Sequence, residues 1–191
     1  MTPLKIAIAY EGPAEEDVVV LLLSKLFDGI PHEIILAKQP YTGLIGYLLA
    51  YIDIFKESGA DLYVFFTDED GQPDRVKLIA EIISKRSSEE DKIVVGLSFP
   101  HFESWLLCDQ DNVKKVFGLS STEPLPFSEY APKKQLEHIQ RNMPEGEQIT
   151  LHDARIKLVE GMDIKKVEQR SKDFLKFSTE IGEKIRILSS K

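Results

Sequence analysis

A chain of 191 residues, 42% hydrophobic and 29% charged, has the balance of a globular protein long enough to bury a core. No apolar run approaches the roughly 20 residues that cross a bilayer, and residues 1–3 lead straight into a strand-like segment without a signal-peptide hydrophobic region, so a cytoplasmic protein with no membrane association is expected. The net charge of -8 argues against bulk electrostatic gripping of nucleic acid, which works through Lys and Arg displacing counterions, but leaves a nuclease open, since metal ions offset an acidic site and Lys133-Lys134 and Lys165-Lys166 are local basic clusters.

In chain order, residues 4–9 (LKIAIA) read as a short apolar strand, followed by a turn and a helix over 14–27 that opens after Pro13, a residue suited to a first helical turn. A second strand is predicted over 33–36 and a helix over 44–57, set off by Thr42-Gly43 and Ser58-Gly59. Residues 61–66 (DLYVFF) read as a buried central strand that runs into Thr67-Asp68-Glu69-Asp70-Gly71. A helix over 73–85 and a fourth strand over 92–97 follow. After Ser98 the pattern becomes helical, over 102–108, 111–117, 132–141, 151–160 and 171–187, with the proline-rich stretch 120–132 as a linker. The fold class is therefore α/β: a four-stranded, mainly parallel, Rossmann-like sheet with flanking helices. Residues 1–110 form its core, and residues 111–191 form a helical extension packed across the carboxyl edge of the sheet within the same structural domain.

In open parallel sheets, ligands bind outside the carboxyl ends of the strands. Glu11 follows the first strand there, and Asp68 and Asp70 follow the third, provided that the backbone turns at Gly71. An oxygen-only cluster of this kind suits a hard cation such as Mg²⁺ shared with substrate phosphates. Glu15 and Asp74 are acids of a second tier. The plainer reading is that Asp-x-Asp-Gly is turn chemistry and that Glu favours a first helical turn. Cys108, the single cysteine, lies in the apolar run Trp105-Leu106-Leu107-Cys108 and reads as a buried hydrophobe.

The segments Ala9-Tyr10-Glu11-Gly12-Pro13-Ala14-Glu15-Glu16 and Phe65-Phe66-Thr67-Asp68-Glu69-Asp70-Gly71 resemble the Toprim domain of topoisomerases, DnaG-type primases and OLD-family nucleases. Residues 98–109 (SFPHFESWLLCD), 132–136 and 169–177 resemble an uncharacterised Toprim-like bacterial family related to RloB, whose members are commonly encoded beside ATPases. Where that family carries Thr before its second Glu, this chain has Ala14.

The resemblance implies Mg²⁺- or Mn²⁺-dependent phosphodiester hydrolysis on DNA or RNA, an ATPase partner and a role in phage defence, with a homodimer compatible. It implies Glu11, Asp68 and Asp70 as metal ligands, with Glu11 also a candidate general base; Glu103, which follows the fourth strand at the same edge, joins them as a candidate ligand, and Glu15 and Lys133, the latter to neutralise a phosphate or leaving group, are the further catalytic candidates. Glu103 reads equally well as a helix glutamate beside a buried Trp105, His101 as a cap or core hydrogen-bonding group, and Lys133-Lys134 as a solvated helix start. Arg170 and Ser171 are either phosphate contacts or, for Ser171, a helix N-cap. A non-catalytic nucleotide- or partner-binding module that retains the acidic crevice is the alternative, favoured by the negative charge and by Ala14. A phosphoacceptor at Asp68 is a third reading.

Overall fold

The computed structural model describes residues 2–12, 16–40, 43–70, 72, 74–86, 88–120, 125, 131–144 and 146–189. Strand β1 (Leu4–Tyr10) leads to helix α1 (Glu16–Leu26), and β2 (His32–Lys38) leads through a 3-10 turn (Leu44–Tyr47) to α2 (Leu48–Glu57). Strand β3 (Leu62–Asp68) is followed by α3 (Asp74–Ser84), and β4 (Ile93–Ser98) by α4 (Glu103–Cys108) and α5 (Gln110–Val116). The chain closes with α6 (Pro132–Arg141), α7 (Leu151–Gly161), α8 (Ile164–Arg170) and α9 (Lys172–Ser189). The α/β class holds, with one all-parallel sheet in the order β2-β1-β3-β4. Most of the linker expected over 120–132 lies outside the described residues, and α8 is a helix that the sequence pattern does not announce.

The central strands owe their place to apolar runs that fill both faces of the pleat. Ile6, Ile8 and Tyr10 of β1, Leu62, Val64 and Phe66 of β3, and Val94 of β4 pack into one core with α1, whose buried stripe is Val18, Val19, Leu22 and Leu23. The alternating partners Ala7, Ala9, Tyr63, Phe65 and Ile93 pack against α2 and α3 on the other face.

The helical C-terminal portion does not lie across the carboxyl edge as expected but covers the α1 face. The reason is the apolar stripe of α9, Phe174, Phe177, Ile181 and Ile185, which recurs at helical spacing and belongs in the same core as Val94 and Phe66. Gly96 makes room for it, since a Cβ there would stand 3.2 Å from the Phe177 ring. Trp105 stacks on Phe177 at 5.4 Å, and its Nε1 donates to Asp173 Oδ2 at 2.6 Å, an oxygen that also accepts the Phe99 amide at 2.9 Å. The loop after β4 is thereby fastened to the start of α9. Among the described residues, no helix is long and apolar enough to cross a membrane.

Candidate metal centre

The order β2-β1-β3-β4 sends the chain from β1 to one side and then back to the other, so a switch point lies between β1 and β3, where the connecting loops part and leave a crevice. Glu11 directly follows β1 and Asp68 ends β3, so both stand at that point. The Asp68 amide donates to Glu11 Oε2 at 3.2 Å, and the Leu44 amide donates to Glu11 Oε1 at 3.0 Å. Glu11 thus braces three loops at the crevice.

The β3 and β4 exits are stitched together by their backbones: the Glu69 amide donates to the Ser98 carbonyl at 2.9 Å, and the Asp70 amide to the Pro100 carbonyl at 3.1 Å. The Phe99–Pro100 peptide is cis. Asp70 itself takes the left-handed conformation, at φ 53°, which short polar side chains tolerate better than others; Gly71, to which the sequence assigned the turn, lies outside the described residues.

This stitching brings His101 against the two aspartates. Its Nδ1 lies 3.3 Å from Asp68 Oδ2 and 3.2 Å from Asp70 Oδ1. The remaining oxygen of each carboxylate is engaged elsewhere. Asp68 Oδ1 accepts the Ser98 hydroxyl at 2.6 Å and the Phe102 amide at 2.8 Å, and Asp70 Oδ2 pairs with Arg75 Nη1 at 3.0 Å. Burial pushes the Asp68 carboxyl above its ordinary value; the Ser98 hydrogen bond opposes this, Glu103 adds to it, and His101 and the Phe102 amide oppose it in turn. One ligand atom each from Asp68, Asp70 and His101 lies within 4.8 Å of the others, a spacing that a single bound cation can span. The donor set fits a divalent metal: two carboxylate oxygens, each left over after that carboxylate's other contacts are made, and an imidazole nitrogen.

The structure brings together Asp68 and Asp70 of the sequence-derived set and adds His101. Glu11 stands beside the group, with Arg75 Nη2 3.7 Å from its Oε1. Glu103 is buried at the start of α4 and ion-paired with Arg155 of α7, so its carboxylate already has a cationic partner. Glu15 lies outside the described residues. Lys133 and Lys134 are exposed on α6, and no ion pair joins either to Asp68, Asp70 or Glu11 among the described residues. Asp74 is exposed and pairs with Lys77 at 3.8 Å.

Ser171 is the N-cap of α9, accepting the Phe174 amide at 3.2 Å, and Arg170 donates to the Cys108 carbonyl at 2.7 Å, closing the end of α4. The Cys108 thiol is buried and pushed up to about 11 by desolvation.

Sequence reasoning did not single out Ser98 or Arg75. The available signals were position alone: Ser98 ends the fourth apolar run, and Arg75 stands in the first turn after the acidic loop. The chain matches no family model, no curated protein and no solved structure.

Proposed function

We propose that the protein is a divalent-metal-dependent phosphodiesterase of Toprim type acting on nucleic acid, with Asp68, Asp70 and His101 as metal ligands. The observation that supports this reading is the convergence of these three side chains at the carboxyl edge, each with a donor atom facing the others. A divalent cation bound there supplies a Lewis acid and an activated water for attack on phosphorus. An imidazole in the donor set suits Mn²⁺ better than Mg²⁺, so Mn²⁺ is the first candidate and Mg²⁺ the second.

The chain's own residues orient that chemistry. Ser98 and the Phe102 amide fix the Asp68 carboxylate through Oδ1 so that Oδ2 faces His101, and Glu11 holds the Asp68 backbone through its amide. The nucleic-acid substrate, an ATPase partner and a role in phage defence rest on the resemblance to the RloB-related family.

The test is cleavage of plasmid DNA and of a mixed RNA by the purified protein in Mn²⁺ or Mg²⁺, with and without an ATPase partner. The expected result is metal-dependent cleavage that falls by about 100-fold in Asp68→Asn and in His101→Ala. Absence of cleavage by folded protein under every metal and partner supports the second reading, a non-catalytic binding module. That reading is favoured by Arg75, whose guanidinium already neutralises part of the acidic crevice.

A further inference from the structure

We propose that Arg75 is the phosphate-binding residue of this centre, held against Asp70 and Glu11 until a divalent cation takes over the Asp70 carboxylate. The proposal rests on the metal reading of Asp68, Asp70 and His101.

Arg75 lies in the first turn of α3, and its side chain is only 12% exposed. Nη1 donates to Asp70 Oδ2 at 3.0 Å and to the Asp68 carbonyl, while Nη2 lies 3.7 Å from Glu11 Oε1, an ion-pair distance too long for a hydrogen bond. The guanidinium is therefore a positive charge seated among the acids of the crevice, and it reaches Asp70 through the oxygen that His101 does not face. A cation bound through Asp70 Oδ1 draws on the same carboxylate charge that Arg75 draws on through Oδ2. Cation and guanidinium compete for Asp70, and the like charges repel.

Once that pair is weakened, the guanidinium offers a planar fork of N–H donors that matches two oxygens of a phosphate. A phosphodiester on the cation carries negative charge into the space beside Arg75, where charge-assisted bidentate hydrogen bonds replace the lost one to Asp70. Lys133, a catalytic candidate of the sequence, is exposed on α6, whereas Arg75 already touches a residue of the centre. Linkage makes the two events reciprocal: the cation strengthens phosphate binding, and phosphate strengthens cation binding.

The test measures Mn²⁺ affinity by electron paramagnetic resonance and, separately, the ³¹P relaxation of inorganic phosphate caused by protein-bound Mn²⁺, in wild type, Arg75→Gln, Arg75→Ala and Arg75→Lys. The expected result is Mn²⁺ binding about five-fold tighter in Arg75→Gln and Arg75→Ala, as removal of one competing charge requires. The same two variants lose the ³¹P effect by about five-fold or more, and Arg75→Lys keeps part of it. If Arg75→Ala fails to fold, the near-isosteric Gln and Lys variants carry the comparison. Mn²⁺ and phosphate bound alike by wild type and Arg75→Gln overturns the proposal while leaving the metal reading intact. Mn²⁺ bound by none of the four proteins overturns both.

Discussion

The Ser98 hydroxyl donates to Asp68 Oδ1 at 2.6 Å across the β3–β4 ladder, in which the two residues are register partners. A strand-end serine thus fixes which oxygen of the aspartate is left to face His101. Ser98→Ala should leave the ladder intact and weaken Mn²⁺ binding by about 10- to 100-fold, the worth of one hydrogen bond to a charged group that orients a ligand. Calorimetric titration of the variant beside wild type decides it, and unchanged affinity would mean that Phe102 alone orients the carboxylate.

Asp70 combines a ligand oxygen with a left-handed backbone, so an alanine there would mix two effects. Asn accepts that conformation nearly as well as Asp. Asp70→Asn should therefore lose Mn²⁺ affinity by at least about ten-fold with little change in Tm. A large drop in Tm with retained metal binding would show that the charge serves the loop and its pair with Arg75 instead.

Away from the centre, Glu89 is buried between β3 and the start of β4, where it accepts the Tyr63 hydroxyl at 3.0 Å and pairs with Lys56 at 2.9 Å and Lys92 at 3.5 Å. The Lys56 hydrogen bond, foremost, holds its carboxyl below the ordinary value. A depressed folded value means that the stabilisation is present above the unfolded carboxylate range, near about 4.3, and is lost as pH falls through the lower folded value. Glu89→Gln should cost about 1–2 kcal/mol at pH 7, discounted because Lys56 is largely exposed. The difference from wild type should vanish in strong acid, as urea unfolding at both pH values would reveal.

Gly161 ends α7 against Asn112, whose Nδ2 donates to the Leu158 carbonyl at 2.7 Å. A Cβ at 161 would fall 2.0 Å from Asn112 Oδ1, so Gly161→Ala should destabilise by about 2–3 kcal/mol by displacing a buried, hydrogen-bonded amide. Adding Asn112→Ala should relieve the clash, and the double variant should lose clearly less than the sum of the two singles in thermal unfolding.

Cys108 is buried, its Sγ donates to the Ser104 carbonyl at 3.2 Å, and its thiol is pushed up to about 11. Thiolate is the reactive form, so the folded protein at pH 7.5 should resist iodoacetamide and react only on unfolding. Rapid alkylation of the native chain would contradict the buried placement of the α4 end.

The sequence by itself determined what is encoded locally. Short, nearly continuous apolar runs marked the four strands, and Asp68 and Asp70 stood at the end of the most apolar of them, so the sheet, its carboxyl edge and two of the three candidate ligands were legible. His101 was not, because its value depends on β4 lying beside β3 and on the backbone bonds that pair the two exits, relations between segments about 30 residues apart that no periodicity records. For the same reason the pairing of Glu103 with Arg155 from another helix and the seat of Arg75 beside Asp70 had no local signal. Local patterns fix which face of an element is buried. Which elements meet, and hence which charges share one crevice, was decided only when strand order and helix packing brought distant parts of the chain together.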